Sequence, residues 1–254
     1  MILLFDIGNT NTHLGLADER RVRKNTNIPT SLWFRGAAGR SVKKFVGRAR
    51  LEGVALCSVV PRATPHVRRT VRRLWHLNAL ELTRNTLCGL GIDYPDPDTI
   101  GEDRLANALA ARQRFGSPVV VVDFGTAVTF DVVNRAGNYA GGVIAPGLAA
   151  MTDYLHEKTA LLPRIKIREI KTAVGKSTEQ AMLVGAVHGY RGLVRELLAE
   201  LKRELKVKRL PVVATGGYAK LIASKLREVS AVEPNLTLEG LRLAWNARHA
   251  HGQR

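Results

Sequence analysis

A short pattern that occurs twice constrains this chain more than any other feature. The first copy reads Leu3-Leu4-Phe5-Asp6-Ile7-Gly8-Asn9-Thr10 and the second Val120-Val121-Val122-Asp123-Phe124-Gly125-Thr126. In each, an apolar run passes straight into Asp-x-Gly and then into hydroxyl or amide residues. A second run follows, residues 13–17 in one copy and 128–133 in the other. The pattern predicts a strand, a tight turn and a returning strand. Glycine lets the turn backbone come close to a ligand. Successive N–H groups, with Asn or Thr side chains, can surround phosphate oxygens. A carboxylate at the strand end can bind a cation, directly or through water. One Asp-x-Gly turn means little. Two copies, 117 positions apart in a chain of 254, predict a duplicated domain with a nucleotide between the halves.

A chain of this length forms one large domain or two small ones, and 45% hydrophobic residues are enough to bury a core. Cys57 and Cys88 show no Cys-x-x-Cys spacing and read as reduced thiols of a cytosolic protein, a lone disulfide being the alternative. The apolar start is stopped at Asp6 with no basic flank, so no signal peptide is expected. No apolar run approaches the ~20 residues of a membrane span, and the expected location is the cytoplasm. The net charge of +17 is concentrated in places. Residues 20–50 hold ten Lys or Arg and no acid, and further clusters stand at Arg68, Arg69, Arg72, Arg73 and at Lys202, Arg203, Lys206, Lys208, Arg209. Such a surface either binds nucleic acid by counterion release or is a basic solvated exterior that attracts anionic metabolites. No zinc-finger, helix-turn-helix or RNA-binding signature accompanies it, which favours the exterior reading over specific nucleic-acid binding.

Along the chain, strands and helices alternate as in an α/β protein. Residues 37–50 predict a basic amphipathic helix, with Val42, Phe45 and Val46 on one side. Residues 54–60 predict a buried strand ended by Pro61. Thr64 is expected to cap a helix over 65–76 that has Pro65 at its first position. Residues 79–83 predict another strand. Residues 89–100, with two prolines and several aspartates, predict an extended loop without regular structure. The loop leads into Gly101-Glu102-Asp103-Arg104 and a helix carrying Leu105, Ala106, Leu109 and Ala110. Glu102 and Asp103 therefore fall in a first helical turn, where the macrodipole favours ionised carboxylates and lowers their pKa. An acidic first turn can simply stabilise a helix. Arg104 beside it, after a long loop, points instead to a substrate site.

Gly116-Ser117-Pro118 breaks the chain and sets the expected division into residues 1–117 and 118–254. In the second half, residues 141–147 predict a strand ending in a Pro-Gly turn, followed by a helix over 148–158. Gly175-Lys176-Ser177-Thr178 fails as a P-loop, because Ile170 stands where that motif needs glycine. It offers a capping box instead, with Ser177 as cap and Gln180 returning the bond. The helix it opens is expected to run from 178 to 205, with Ala186, Tyr190, Leu193, Leu197, Leu201 and Leu205 as its apolar stripe. Gly185, Gly189 and Gly192 lie within it. They predict close approach of another backbone, either inside the monomer or from a second subunit. Thr178 would stand at the helix N-terminus, where anions bind, or serve only as part of the cap. Thr215-Gly216-Gly217 reads as a glycine turn between strand and helix. His249 and His251 in the basic tail are weak grounds for a metal site.

Seven motifs in this order resemble the type III pantothenate kinases, a family also known as Bvg accessory factor homologues. They are Asp6-Ile7-Gly8-Asn9-Thr10, Gly101-Glu102-Asp103-Arg104, Asp123-Phe124-Gly125-Thr126-Ala127, Gly142-Val143-Ile144-Ala145-Pro146-Gly147, Gly175-Lys176-Ser177-Thr178, Thr215-Gly216-Gly217 and Leu236-Thr237-Leu238-Glu239-Gly240-Leu241. The resemblance implies an α/β fold of duplicated actin-like ATPase (ribonuclease H-like) domains, with mixed sheets flanked by helices. It implies ATP-dependent phosphorylation of pantothenate to 4′-phosphopantothenate, the first step towards coenzyme A, by a homodimer that uses Mg²⁺ and a monovalent cation, K⁺ or NH₄⁺. Carried over by motif, Asp6, Ile7, Gly8, Asn9, Thr10, Asn11, Thr12, His13 and Thr126 would hold ATP, with Asp6 also serving Mg²⁺, directly or through water. Asp103 would be the base facing the pantothenate hydroxyl. Tyr94, Gly101, Glu102, Arg104 and Thr178 would line the pantothenate site, and Asp123 would bind the monovalent cation. The reading from another class is a basic regulatory or nucleic-acid-binding protein on a kinase-like scaffold. The intact carboxylates Asp6, Asp103 and Asp123 argue against it, since a pure binding module has no need of all three.

Overall fold

The computed structural model describes residues 1–87 and 89–250. Cys88 and His251 lie outside them, and with them the expectations placed on those two residues. In chain order the elements are β1 (Ile2–Ile7), β2 (Asn11–Ala17), β3 (Val22–Pro29), α1 (Ser31–Phe34), α2 (Ala38–Val46), β4 (Gly53–Ser58), α3 (Thr64–Trp75), β5 (Ala79–Glu81), β6 (Gly91–Ile92) and α4 (Glu102–Phe115). There follow β7 (Val119–Phe124), β8 (Ala127–Val133), β9 (Asn138–Pro146), α5 (Leu148–Lys158), α6 (Thr178–Val184), a π-helical turn (Gly185–Gly189), α7 (Tyr190–Glu204), β10 (Val212–Thr215), α8 (Ala219–Ala223), β11 (Ala231–Val232) and α9 (Leu236–Ala250).

They form two compact units. The first comprises Met1–Arg114, Gly137–Tyr139 and Asn235 onward, and the second Phe115–Ala136 and Ala140–Pro234. The first unit holds a sheet in the order β3-β2-β1-β4-β5. In the second unit the run β9-β8-β7-β10-β11 follows the same plan. β1 pairs antiparallel with β2 and parallel with β4, and β7 pairs antiparallel with β8 and parallel with β10. β1 and β7 also bury their residues in the same sequence, four buried, one half-buried at the Asp, one buried. The repeat in the sequence is thus a repeat in the fold. Both strands are apolar at every position before the Asp because each is central, covered on two faces.

In the first unit, Leu3, Phe5, Leu14, Val54 and Leu56 pack with Trp33, Val42, Val67 and Val71 of the helices. In the second, Val120, Val122, Phe130 and Val212 pack with Leu183, Val187, Tyr190 and Val194. Full burial of each such side chain contributes about 1.5–3 kcal/mol. α9 joins the first unit and lies on β1, β2 and β4. Gly53 makes room there for the Trp245 ring and Gly240 for the Ala106 carbonyl, since a methyl group on either would overlap its neighbour.

Several local expectations are corrected. Thr64 does not cap α3; Ala63 holds the cap position without a side-chain bond, and the Thr64 hydroxyl donates to Ser58 Oγ at 2.9 Å. The loop over 89–100 contains the two-residue strand β6, paired in parallel with Asn138 and Tyr139, and a 3₁₀ turn at Pro97–Thr99. Ser177 does cap α6, accepting the Gln180 N–H at 3.2 Å, but Gln180 returns its bond to the N–H of Lys176 rather than to the cap residue. The predicted helix over 178–205 is not uniform. It passes through the π turn at Gly185–Gly189, which puts an extra residue into the ladder before α7. A methyl group added at Gly185, Gly189 or Gly192 would meet nothing within 4 Å, so close packing inside the monomer does not account for these glycines.

Candidate active site

In the first unit the chemistry gathers at the ends of β1 and β4 and at the start of α4. The β1–β2 turn is closed by the Gly8 N–H donating to the Asn11 carbonyl at 3.0 Å. A buried framework holds it from behind. The Thr30 hydroxyl donates to the Gly8 carbonyl at 2.7 Å, and the Thr30 N–H donates to the Thr10 carbonyl at 3.0 Å. Thr12 Oγ1 lies 3.1 Å from Thr30 Oγ1 and accepts the Trp33 indole N–H at 3.0 Å. Ile7 and Thr12 are fully buried, so their side chains support the turn, while Asn9, Thr10 and Asn11 are exposed. His13 stands opposite Asp6 in the pairing of the two strands, 3.3 Å from Asn25 Oδ1, and burial lowers its pKa. Thr30 and Trp33 carry no motif and were not legible in the sequence.

Asp6 pairs in register with Cys57 of β4, whose thiol donates to Asp6 Oδ1 at 3.6 Å. Cys57 is a free, fully buried thiol. Burial pushes its pKa well up, and the charges of Asp6, Asp103 and Glu102 push it further. It therefore stays a neutral S–H donor. Asp103 lies in the first turn of α4, as the sequence predicts, and its Oδ1 accepts the Arg104 N–H at 2.8 Å. A methyl group at Gly101 would stand 2.7 Å from Asp103 Oδ1, so only glycine lets the carboxylate fold back over the helix start. The expectation of a low pKa is overturned. Burial raises the Asp103 pKa and outweighs the Arg104 N–H and the Arg104 charge, which lower it. Burial raises Glu102 as well, with the Asp103 charge adding to it. Desolvation acts on the whole ionic charge, whereas a helix start supplies only partial charges.

Arg104 and Tyr94 share a neighbour that sequence reasoning missed. The Arg104 guanidinium lies over the Tyr139 ring, 5.8 Å from its centroid, and Tyr94 meets the same ring edge-on at 6.2 Å.

In the second unit, Asp123 stands next to last in β7, opposite Thr129 of β8 and beside Thr215 of β10. Gly216 adopts φ +91°, and a methyl group there would lie 2.5 Å from Asp123 Oδ1 and 2.6 Å from the Phe124 nitrogen. Gly147 presses equally on the hairpin turn, where a methyl group would overlap the Thr126 carbonyl. These two glycines keep carboxylate and carbonyl oxygens of the turn in one tight place. The Tyr190 hydroxyl, its pKa pushed up to about 12 by burial, donates to the Pro146 carbonyl at 2.9 Å and ties α7 to the end of β9. Thr126 is exposed on the hairpin turn, and Thr178 is exposed as the first residue of α6. Among the described residues no group of three or more His, Cys, Asp or Glu side chains is arranged to hold a metal ion.

Two units built on one strand plan, each with an aspartate next to last in its central strand before a glycine turn, have the duplicated α/β architecture of the actin-like ATPase fold. A Sinorhizobium meliloti protein described as a 2-dehydro-3-deoxygalactonokinase shares this fold, at a TM-score of 0.61 and 14% identity over 98% of this chain and 96% of that one. The family model for type III pantothenate kinases matches residues 2–200. A type III pantothenate kinase of Akkermansia muciniphila is 46% identical over 95% of this chain and 97% of that one. One from Methylacidiphilum infernorum is 43% identical over 95% of this chain and 87% of that one. The chain belongs to the type III pantothenate kinase family.

Proposed function

We infer that the protein transfers the γ-phosphoryl group of ATP to the hydroxyl of pantothenate, giving 4′-phosphopantothenate in coenzyme A biosynthesis. Beside family membership, the observation that supports this most directly is the grouping of Asp6, Glu102 and Asp103 around the buried Cys57 thiol, with Arg104 at the same helix start. Phosphoryl transfer needs positioning and charge neutralisation more than a strong base. Asp103 is the proposed base. It orients the substrate hydroxyl and takes its proton late, as the oxygen bonds to phosphorus. Its raised pKa makes it a better acceptor than an ordinary aspartate. Arg104 would anchor the substrate carboxylate, with Tyr94, Gly101 and the backbone of Glu102 lining that site and Thr178 as a further proposed contact.

Asp6, Gly8, Asn9, Thr10, Asn11 and His13 are the proposed phosphate side, with Ile7 and Thr12 fixing their turn. In the second unit Thr126 is the proposed nucleotide contact. Magnesium is commonly held by one or two carboxylates plus substrate phosphates and water rather than by an all-protein cage. Asp6, beside the phosphate turn, is the proposed ligand of that ion, directly or through water. Such an ion, when bound, neutralises phosphate charge. Asp123 and the crowded oxygens of its turn suit a monovalent cation, which prefers oxygen donors.

A homodimer is proposed through the second unit. Gly185, Gly189 and Gly192 are open to contact there, and α5 beside the π turn exposes Tyr154 and Leu155. The proposed location is the cytoplasm; no helix among the described residues is long and apolar enough to cross a membrane. The test is ADP release on addition of pantothenate, in K⁺ buffer and in Na⁺-only buffer. The expected outcome is pantothenate-dependent turnover that drops strongly without K⁺ or NH₄⁺. No ADP release with pantothenate in K⁺ would overturn the substrate, and full rate in Na⁺ alone would overturn the role given to Asp123.

A further inference from the structure

We infer that Tyr139 is a positioning residue for recognition of the substrate carboxylate, setting the distance between Arg104 and Tyr94. The inference rests on the reading of those two residues as substrate contacts. Tyr139 is fully buried, so its ring is fixed by packing and does not adapt to a ligand. Two proposed contacts from different elements meet on it. Arg104 comes from the first turn of α4 and lies over the ring, and Tyr94 comes from the loop after β6 and meets it at an interplanar angle of 68°. The backbone secures the same arrangement. Ile92 pairs in register with Tyr139, and the Asp93 N–H donates to the Tyr139 carbonyl at 2.8 Å. At Gly91 the absence of a side chain lets the Asn138 amide lie against the backbone, where a methyl group would displace it. The loop that carries Tyr94 is therefore docked onto the strand that carries Tyr139.

A cation–π contact with an aromatic face suits an arginine that must also bind a carboxylate. The ring attracts the flat face of the guanidinium, and the N–H donors lie in the guanidinium plane, directed outwards. A carboxylate takes two parallel N–H bonds from that edge, so fixing the plane fixes where the acid can sit. Tyr139 thus acts through Arg104 and touches no reacting atom. All these residues belong to the first unit.

The experiment compares wild type, Tyr139→Phe, Tyr139→Leu and Tyr139→Met. It measures KM and kcat for pantothenate, KM for ATP, and binding of the alcohol analogue in which the carboxylate is replaced by CH₂OH, taken as a substrate or as a competitive inhibitor. Removal of the π face is expected to raise the pantothenate KM by about 2- to 30-fold, the range of a guanidinium–ring contact. The ATP KM and the affinity for the alcohol should stay within about 2-fold, so preference for acid over alcohol falls by the same factor as the KM rise. Tyr139→Phe keeps the face and should keep the wild-type preference for acid over alcohol, even where loss of the hydroxyl lowers the melting temperature. Tyr139→Met, long and unbranched, serves where Tyr139→Leu does not fold. Equal losses for acid and alcohol, or a Tyr139→Phe variant as impaired as Tyr139→Leu, would show a packing role and overturn the inference. A wild-type protein inactive on pantothenate would instead overturn the substrate assignment beneath it.

Discussion

Replacing Asp103 by Asn separates the carboxylate's part in catalysis from its cost in the fold. The two side chains are nearly the same size, and Asn keeps an oxygen for the Arg104 N–H that Asp103 accepts at 2.8 Å. The near-equal volume leaves no cavity. What changes is the charge. Burial holds the Asp103 pKa above the ordinary 3.8, so the native state binds this proton more tightly than the unfolded chain. Stability linked to Asp103 is then complete below the unfolded pKa and is lost as pH rises through the folded one. At neutral pH the ionised carboxylate is a net cost, and Asp103→Asn should be at least as stable as wild type. Turnover moves the other way. A positioned general base contributes about 10²–10⁴-fold, or about 2.7–5.4 kcal/mol of barrier. Coupled ADP release should show that loss in kcat, calorimetry should show ATP and pantothenate still binding, and melting curves from pH 4 to 8 should show a flatter acid dependence. A near-wild-type rate would sink the base assignment, and a variant clearly less stable than wild type at pH 7 would refute the desolvation account.

Three further outcomes follow from the second unit. Gly216→Ala should cost about 2–5 kcal/mol, combining about 1–2 for the left-handed backbone with about 1–3 for overlap against Asp123 and Phe124. It should also raise the K⁺ concentration for half-maximal activity, and an unchanged denaturation midpoint would count against the crowding seen there. Glu169→Gln leaves Arg191 without the carboxylate it bonds at 3.0 and 2.6 Å, although Arg191 is only 6% exposed. Because the Glu169 side chain is 40% exposed, the loss is about 1–3 kcal/mol rather than that of a fully buried pair. Arg191 holds the Glu169 carboxyl below its ordinary 4.5, so this stability is present above the unfolded pKa and fades as pH falls through the folded one; the variant should lack that acid slope in urea titrations. Gly189→Leu should leave the monomer folded, since among the described residues nothing outside the helix's own backbone and the adjacent residues lies within 4 Å of the added carbon, and should shift light scattering from dimer to monomer. A dimer of unchanged mass would remove this helix from the proposed interface.

Much of the site was legible because its residues sit where chain direction changes. Asp6 and Asp123 stand next to last in their strands and Asp103 second in its helix, and strand ends and helix starts leave a mark in local sequence. Their supports were not legible. Thr30, Trp33, Cys57 and Tyr139 meet the site from other elements, through hydrogen bonds or ring contacts across 12 or more positions. Nothing local marks a threonine as the one that will hold a glycine carbonyl 22 residues away. The Asp103 pKa went astray for a related reason. The helix start is visible in the sequence, but the burial that overrides it is the work of neighbours that fold in around it.

The sequence by itself determined the repeat, the strand–turn–strand hairpins, the helix that begins at Glu102 and the family. These depend on periodicity, on glycine at turns and on the order of motifs, all of which are properties of neighbours along the chain. Only the tertiary structure decided that α9 joins the first unit, that Gly216 packs against Asp123, and that one buried tyrosine carries both Arg104 and Tyr94. Each of these depends on which surfaces exclude water together, and that is settled by the whole packed chain rather than by any stretch of it.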